Sequence, residues 1–322
     1  MRAIRVEVPG GPEALQLSEL PTPAAGAGQA LVRVEAAGVN FIDIYQRSGL
    51  YKLDLPFTLG QEGAGVVEAI GPGVGEVAVG DRVAWAGPMG SYASHQLIQA
   101  ARLVRVPEGL DARSAAAAML QGMTAHYLVN DTYPLKAGDI AVIHAAAGGV
   151  GQLFCQLARR AGAFVIGTAG GPEKVKLALD AGANEAIDYR AADFGAEVKR
   201  ITGGKGAHVV YDSVGKDTFD ASLRCLRPRG TLVLFGGSSG PVPPFDLQRL
   251  AAGGSLYLTR PTLGSYTLTR DDLVARAGAV LGAVQGGQLK LRLEEPMPLA
   301  RAADAHRLLA SRKTTGKLLL LP

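Results

Sequence analysis

The chain has 322 residues, of which 48% are hydrophobic and 19% charged, and its formal net charge at pH 7 is +4. This composition excludes a disordered chain. The basic residues are scattered and form no basic stripe with interleaved aromatics, so we expect no nucleic-acid partner. The two distant cysteines, Cys155 and Cys225, exclude a disulfide framework and a multi-cysteine zinc site.

The first third of the chain predicts a β-rich module. Short apolar or alternating runs stand between Gly- and Pro-rich turns, as in the segments MRAIRVEV, QALVRVEAAGV, GAGVVEAIG and DRVAWAG. Many short strands with turn signals between them are typical of a barrel or a sandwich. The N-terminal segment lacks the apolar core of a signal peptide, and no run approaches the ~18 apolar residues of a membrane span. We therefore expect a cytoplasmic protein with no membrane partner.

From residue 111 the pattern becomes helical and then alternates between strands and helices. An alanine-rich helix comes first, with Ser114 or Asp111 as its expected N-cap. The alternating segments are IAVIHA, VGQLFCQLARRAG, AFVIGTA, PEKVKLALDAGA, EAIDY, FGAEVKRITGG, AHVVYDSV, TFDASLRCLRPRG and TLVLFGG. This alternation predicts a parallel sheet wrapped by helices, and the length predicts two domains.

After about Leu263 the alternating pattern ends. A helix, DDLVARAGAVLGAVQGG, is followed by a second helix, ARAADAHRLLASR, and by a last strand, GKLLLLP. We expect this tail to pack back on the N-terminal module.

A glycine turn lies between the first strand and the first helix of the alternating region. The spacing G-x-G-x-x-G falls on Ala146, Gly148 and Gly151, so alanine replaces the first glycine. A complete strand–helix–strand unit around the turn favours a dinucleotide site, with the pyrophosphate at the helix N-terminus. The alternative is a tight turn without a ligand.

The end of the second strand indicates which dinucleotide binds. An acidic residue there bonds the ribose 2′-hydroxyl of NAD, but this chain has Ala169, Gly170 and Gly171, followed by Lys174. A lysine ammonium is a suitable partner for the 2′-phosphate of NADPH. We therefore predict NADPH as the cofactor; a solvated lysine in the first helical turn is the alternative.

Segments spread over the whole chain together resemble the medium-chain dehydrogenase/reductase superfamily, and most closely its zinc-independent quinone oxidoreductases, which include ζ-crystallin. The segments are GVNFIDIYQRSGLY, LGQEGAGVVEAIGPGV, GDRVAW, HAAAGGVG, GTAGGPEK, DYR, YDSVG, FGGSSG, LTRP and SRKTTGKLLL. The resemblance implies an α/β protein with two domains and an active cleft between them. A GroES-like β-rich catalytic domain would comprise residues 1–122 and 263–322, and a Rossmann domain with a doubly wound parallel sheet, residues 123–262, would bind NADPH.

The resemblance also assigns cofactor-binding residues. The phosphate-binding turn would consist of Ala147, Gly148, Gly149, Val150 and Gly151. The adenosine 2′-phosphate would be surrounded by Lys174, Tyr189 and Arg312, and Gly170 would also belong to the cofactor site. The ribose and pyrophosphate path would be lined by Ser213, Phe235 and Ser238. For Tyr189 the alternative is an ordinary surface position, and for Arg312 a cation at a helix C-terminus.

The resemblance places Asn40 of the catalytic domain and Thr124 of the Rossmann domain toward the nicotinamide end of the cofactor, and it places Tyr45 and Tyr51 at the substrate pocket. Asn40, Tyr45 and Tyr51 are the expected catalytic residues. A local cap is the alternative role of Asn40, and packing or surface exposure is the alternative for the two tyrosines.

The chain departs from the zinc-dependent alcohol dehydrogenases at the motif GHE, which here reads GQE with Gln61. The five histidines are dispersed without cysteine partners nearby, so no metal is expected. The implied activity is NADPH-dependent quinone reduction by hydride or electron transfer. The alternatives are an alkenal or enone reductase and, more remotely, a non-catalytic NADPH- or RNA-binding protein. A short apolar strand, SLYLTRP, and the resemblance together predict a homodimer.

Overall fold

The strand–helix alternation of the middle region follows the predicted order, whereas the first third, predicted as β, also contains a helix of residues 41–47. The computed structural model describes residues 1–322. Its first third contains β1 (Arg2–Val6), β2 (Gln16–Glu19), β3 (Gln29–Gly38), α1 (Phe41–Arg47), β4 (Phe57–Thr58), β5 (Glu62–Ile70), β6 (Arg82–Ala86), β7 (His95–Gln99), β8 (Val104–Arg105) and α2 (Ala112–Tyr127).

The middle of the chain contains β9 (Ile140–Ile143), α3 (Gly149–Arg160), β10 (Phe164–Ala169), α4 (Pro172–Asp180), β11 (Glu185–Asp188), α5 (Phe194–Ile201), β12 (Ala207–Asp212), α6 (Phe219–Arg224), β13 (Leu226–Leu234), α7 (Gln248–Ala252) and β14 (Tyr257–Thr259). The tail adds α8 (Arg270–Gln285), β15 (Met297–Pro298), α9 (Ala302–Ala310) and β16 (Leu319–Leu321). No helix among them is both long and apolar enough to cross a membrane.

The chain divides into two units. One, here called the β-rich unit, comprises Met1–Met123 and Thr267–Pro322, and the other, the nucleotide-fold unit, comprises Thr124–Tyr266. The division into a catalytic domain of residues 1–122 and 263–322 and a cofactor domain of residues 123–262 is a functional assignment and stays a prediction.

The β-rich unit is built around a seven-stranded sheet. Its order is β15-β16-β3-β5-β6-β8, with β7 paired to β3, and a smaller sheet has the order β2-β1-β4. The tail strand β16 pairs antiparallel with the end of β3, where Leu320 lies opposite Ala37. Apolar side chains from both parts of the chain, among them Val34, Trp85 and Leu320, share one core. The expected return of the tail to the N-terminal module is therefore confirmed.

The nucleotide-fold unit has a six-stranded parallel sheet of order β11-β10-β9-β12-β13-β14. Counted within the unit, this is the order 3-2-1-4-5-6 of the dinucleotide-binding fold. The order reverses between β9 and β12, and ligands of open α/β sheets bind at the carboxyl ends of the strands beside such a reversal. The predicted α/β fold with a doubly wound sheet is confirmed.

Local chemistry explains the start of α2 and the end of α6. Of the two candidate caps of α2, Asp111 takes the role, since its carboxylate accepts from the backbone N–H and the hydroxyl of Ser114 at 2.9 and 2.7 Å. The predicted helix TFDASLRCLRPRG is too long, because α6 ends at Arg224 and β13 begins at Leu226. Pro228 has no N–H to donate, and Arg229 has a left-handed φ of 59°, so this segment cannot continue a helix.

Candidate active site

The glycine turn between β9 and α3 allows a close approach of strand and helix. Gly148 is the residue before α3. A Cβ on Gly151 would lie 2.3 Å from the Ala145 carbonyl oxygen, so only glycine fits there without movement. The first N–H groups of a helix lack intrahelical partners and suit a phosphate. The predicted phosphate-binding residues occupy this turn: Ala147, Gly148, Gly149, Val150 and Gly151.

A buried histidine joins the ends of several strands beside this turn. His144 is 2% exposed, and its Nδ1 and Nε2 lie 2.8 Å from Thr168 Oγ1 and 2.9 Å from Ser222 Oγ. Ser222 donates to Asp212, so it accepts from Nε2–H, and Nδ1 accepts from Thr168. Burial lowers the pKa of His144. The imidazole is therefore neutral and supports the strand ends.

The loops after β12 and β13 are held together by hydrogen bonds. Asp212 is fully buried, and one of its carboxylate oxygens accepts from two backbone N–H groups of its own loop at 2.8 and 2.9 Å. The backbone N–H of Phe235 donates to the Asp212 carbonyl at 2.9 Å, and that of Ser238 donates to the Ser213 carbonyl at 3.2 Å. The structure thus brings together the three residues predicted for the ribose and pyrophosphate path: Ser213, Phe235 and Ser238.

The loop after β10 lies against residues that follow β11. A Cβ on Gly170 would be 2.6 Å from the Tyr189 hydroxyl oxygen and 3.1 Å from Arg190 Nε. Asp188 Oδ1 accepts from the backbone N–H groups of Gly171 and Arg190 at 2.9 and 3.0 Å. These hydrogen bonds, Gly171 first, lower the pKa of Asp188. The carboxylate is therefore engaged by the loop backbone, while a hydroxyl and a guanidinium lie over the glycines.

The remaining predicted cofactor residues belong to different units. Lys174 lies in the first turn of α4, in the same unit as Tyr189. Thr124, 8% exposed, lies in α2 and begins the nucleotide-fold unit. Arg312 follows α9 in the β-rich unit, where it is exposed and has a left-handed φ of 57°. Their grouping around one cofactor stays a prediction.

Two tyrosines of the β-rich unit come together at α1. The Tyr45 and Tyr51 ring centroids are 5.5 Å apart with an interplanar angle of 64°. The backbone N–H of Tyr51 donates to the Tyr45 carbonyl at 3.1 Å, which closes the turn after the helix. Tyr51 is 41% exposed, so it is available to a ligand and is not a core residue.

Asn40 lies at the junction of β3 and α1, and its side chain contacts a buried ion pair. Its backbone N–H donates to the Asp43 carboxylate at 2.8 Å, so it also has the capping role named as its alternative. The Asn40 side-chain amide contacts Glu62 and Lys317, which form a salt bridge with side-chain exposures of 0% and 2%. Lys317 reaches this place because β16 pairs with the end of β3.

A second buried network runs from Asp43 to α9. The Tyr92 hydroxyl donates to Asp43 at 2.9 Å and lies 3.2 Å from His306 Nε2, while Arg47 lies 3.2 Å from His306 Nδ1. Arginine only donates, so His306 accepts at Nδ1 and donates from Nε2. Burial raises the pKa of Asp43 to about 7. Burial, and then the Arg47 charge, lowers the pKa of His306 to about 3.

Several residues of these networks were missed by sequence reasoning. Glu62 stands next to Gln61 in the motif GQE, and Lys317 is a single lysine before an apolar strand. A lone charge beside an apolar run is a usable signal for a buried ion pair, because an unpaired charge there is costly. Asp43 and Asp212 had no signal beyond their place in the quoted motifs.

Known domain families and relatives match both parts of the chain. Residues 26–133 match the model of the alcohol dehydrogenase GroES-like domain, and residues 149–275 match the model named zinc-binding dehydrogenase. A quinone oxidoreductase of Pseudomonas aeruginosa is 48% identical over 315 residues, which cover 97% of each chain. The chain belongs to the quinone oxidoreductase family. The resemblance to this family stated from the sequence is confirmed.

Other members and neighbours of the quinone oxidoreductase family agree with this assignment. The crystal structure of the Escherichia coli quinone oxidoreductase complexed with NADPH is 44% identical, has a TM-score of 0.97 and covers all of both chains. A 2-haloacrylate reductase of a Burkholderia species is 42% identical over 97% of this chain and 96% of its own. These two relatives are named for different acceptors, a quinone and a 2-haloacrylate.

The name of the second family model raises the question of a zinc site. Gln61, in the motif where zinc relatives carry histidine, donates to the Met89 sulfur at 3.2 Å. No three His, Cys, Asp or Glu side chains in the structure form a metal-binding group. Cys155 and Cys225 are buried and unpaired in the nucleotide-fold unit. These residues do not fit a zinc ion.

Proposed function

We propose that this protein is an NADPH-dependent oxidoreductase that reduces quinones by hydride or electron transfer, without zinc. The observation that carries the cofactor choice is the loop after β10. The Tyr189 hydroxyl and the Arg190 guanidinium lie against Gly170, and the nearby Asp188 carboxylate is engaged by backbone N–H groups. A 2′-phosphate fits such a loop, because no acidic residue stands at the end of β10, where NAD enzymes carry one, and a hydroxyl and a guanidinium lie there instead. The NADPH complex of the Escherichia coli relative supports the same cofactor.

The proposed cofactor site follows the carboxyl ends of the parallel strands. The glycine turn would hold the pyrophosphate, and the loop with Gly170, Lys174 and Tyr189 would hold the 2′-phosphate, together with Arg312. Thr124 and Asn40 would contact the nicotinamide end. When bound, NADPH supplies the hydride, and the protein positions it and excludes water.

The side chains around Tyr45 would orient the acceptor. A quinone is already electrophilic, so it accepts a hydride with less polarisation of its oxygen than a simple ketone needs. The hydroxyls of Tyr45 and Tyr51, whose rings pack together on α1 and its following turn, would donate to an acceptor oxygen. Replacing Tyr45 and Tyr51 together with Phe keeps the ring packing and removes both hydroxyls. We expect kcat for quinone reduction to fall about 100-fold if a hydroxyl delivers the proton. A wild-type rate in this variant shows that neither does.

A second candidate function is the reduction of an activated alkene. It is favoured by one observation, the 42% identity to a 2-haloacrylate reductase over nearly the whole chain. Turnover of NADPH with 1,4-benzoquinone, 9,10-phenanthrenequinone and a small enal separates the two activities. Quinone reduction that exceeds enal reduction in kcat/KM, and that persists with a zinc chelator present, supports the proposal. No turnover with any acceptor contradicts both enzymatic functions.

The homodimer is a further part of the proposal. β14 is one of the two edge strands of the six-stranded sheet, and its Tyr257 is 61% exposed. An open edge can pair with its own copy across a two-fold axis. We expect sedimentation analysis to give a dimer for the wild type and a monomer for Tyr257→Lys, and a wild-type monomer contradicts the edge pairing. The cytoplasmic location expected from the sequence also stays a prediction.

A further inference from the structure

The amino ends of neighbouring strands form one edge of the sheet in the nucleotide-fold unit. The strands β10, β9, β12 and β13 are adjacent in this order and parallel. Their amino ends therefore lie in a row of about 14 Å, since paired strands are about 4.8 Å apart. The proposed cofactor loops follow the carboxyl ends of these strands, so the row is a separate surface of the unit.

Basic side chains follow one another along this row. Lys136 precedes β9, Lys205 precedes β12, and Arg227 and Arg229 lie in a bulge at the start of β13. The side chains of Lys136, Lys205 and Arg229 are exposed, and none of them contacts a carboxylate. Asp139 stands at the same edge, but it is 3% exposed and accepts from the backbone N–H of Lys136 at 3.2 Å. The exposed charge of the row is therefore positive.

The bulge at β13 holds Arg229 in a strained backbone conformation. Its φ is 59°, in the left-handed region that an arginine rarely adopts. The Arg229 backbone N–H donates to the Gly254 carbonyl at 2.8 Å, which fixes the bulge. The loop before β12 packs against it, since a Cβ on Gly206 would lie 2.7 Å from the Arg227 backbone nitrogen. Lys205 is thereby held beside the two arginines.

An exposed aromatic ring stands at the other end of the row. Phe164 is the first residue of β10 and is 36% exposed. Its backbone N–H donates to the Asp139 carbonyl at 2.7 Å, which places it beside the turn that carries Lys136. Beyond it lies the outer strand β11, which begins with the exposed Glu185. The row thus consists of one apolar ring followed by a run of cations.

This combination fits the surface of an anionic bilayer. Headgroup phosphates form a plane that several cations can meet at once, and each Lys or Arg near the plane strengthens binding. An aromatic ring can enter the interface shallowly. Single-stranded nucleic acid instead stacks successive bases on aromatic side chains along a basic groove, whereas Phe164 stands outside the run of cations, at its end.

We propose that the amino edge of the nucleotide-fold unit, formed by Lys136, Phe164, Lys205, Arg227 and Arg229, is a docking surface for anionic lipid headgroups. The proposal goes beyond the oxidoreductase function and does not depend on it. The sequence predicts no membrane partner because it has no spanning segment, but a peripheral contact does not require one. Basic residues that are scattered in the sequence become one surface through the order of the strands.

The test is cosedimentation of the full-length protein with lipid vesicles. One set contains phosphatidylcholine alone, and the other contains phosphatidylcholine with an equal amount of phosphatidylglycerol. We expect the protein to bind the mixed vesicles only. Salt above physiological ionic strength should release it, because the attraction between the cations and the headgroups is then screened.

Variants at the row measure its contribution to binding. The double variant Lys205→Gln/Arg229→Gln should bind the mixed vesicles about 25-fold more weakly, about 5-fold for each charge. Arg82→Gln/Arg113→Gln removes two exposed cations from the β-rich unit. It is the matched control, with the same net charge, and should bind like the wild type. Phe164→Ser should weaken binding about 2- to 5-fold, since part of its ring is available for burial.

Two glycine variants separate the charge of the bulge from its backbone. Arg229 and Ser255 have left-handed φ angles of 59° and 58°, so Arg229→Gly and Ser255→Gly both relieve a strained position. Only Arg229→Gly removes a cation, and it should weaken binding about 5-fold. Thermal unfolding of the same samples shows that both variants fold.

Each outcome decides. Equal binding to both kinds of vesicle, or binding to neither, overturns the proposal, and so does an equal loss in Lys205→Gln/Arg229→Gln and its control. Binding to a single-stranded oligonucleotide in place of the mixed vesicles assigns the surface to nucleic acid and overturns it as well. NADPH oxidation by quinones is measured without vesicles, so its absence contradicts the proposed function and leaves the docking surface to its own test.

Discussion

Two buried groups of the β-rich unit have opposite effects on stability as the pH changes. Burial raises the pKa of Asp43 from 3.8 to about 7 and lowers the pKa of His306 from 6.5 to about 3. Between about pH 4 and 6.5 the folded state therefore holds a proton at Asp43 that the unfolded state has lost. In the same window it lacks a proton at His306 that the unfolded state has gained.

Linkage gives the sign and the size of each effect. Stability rises with pH wherever the unfolded state binds more protons. Asp43 thus makes the free energy of unfolding fall by about 1.4 kcal/mol per pH unit as the pH rises, and His306 makes it rise by about the same amount. Across the window each effect amounts to about 3 kcal/mol, and in the wild type the two cancel.

The variants Asp43→Asn and His306→Gln separate the two effects. Trp85 is the single tryptophan and lies fully buried in the core of the β-rich unit, so its fluorescence follows the unfolding of that unit in urea. Between about pH 4 and 6.5 we expect the stability of Asp43→Asn to rise with pH, and that of His306→Gln to fall, each by about 1.4 kcal/mol per unit relative to the wild type. The double variant regains the wild-type slope.

The control is Asp271→Asn, at an exposed aspartate in the first turn of α8, which should keep the wild-type slope. Equal slopes in the wild type and in both single variants refute the reasoning. A loss of stability that is the same at every pH shows that the substitution removed a contact only, and it refutes the shifted pKa of that residue.

Three further predictions concern the cofactor site and the buried ion pair. Lys174→Ala should weaken NADPH binding by about 10- to 150-fold, the worth of a charged hydrogen bond, and leave NADH binding nearly unchanged; an equal loss for both ligands in calorimetry contradicts the 2′-phosphate role. Gly151→Ala should destabilise the protein by about 1–3 kcal/mol, because the added Cβ would lie 2.3 Å from a backbone oxygen. Gly278→Ala, in α8, has open space around its Cβ and should stabilise the protein by about 0.4–1 kcal/mol. Thermal unfolding measures both changes. Glu62→Gln and Lys317→Met should each lower the free energy of unfolding by about 3–5 kcal/mol, and the double variant should lower it by less than either single variant. If urea unfolding shows that the two single losses add up in the double variant, the pairing is contradicted.

Much of the fold was predictable because the deciding interactions are local. Pro172 and Gly182 mark the ends of α4 through backbone preferences that act within one turn. The strand–helix alternation of the middle region predicted a parallel sheet, because each strand and helix shows its own apolar pattern within a short segment. The misjudged end of α6 is also local, but there Pro228 and the left-handed Arg229 outweigh an apolar pattern that fits a helix.

The candidate site was predictable where its residues are contiguous in the chain. The turn of Ala147–Gly151 is a single segment, and the loops with Ser213 and Phe235 follow two neighbouring strands, whose carboxyl ends meet at one edge of the sheet. Tyr45 and Tyr51 are six positions apart on one helix and its following turn. Such groupings need only secondary structure and strand order.

By itself, the sequence determined the fold class, the family and the dinucleotide turn, because periodicity and glycine placement act over short distances along the chain. Only the tertiary structure decided which charges are buried together. Lys317 meets Glu62 across 255 positions, and Tyr92 meets His306 across 214. No local pattern encodes these pairs, since each forms only when β16 and α9 return to the N-terminal strands. The contacts of the Asn40 amide with this ion pair and the opposed proton affinities of Asp43 and His306 follow from that burial.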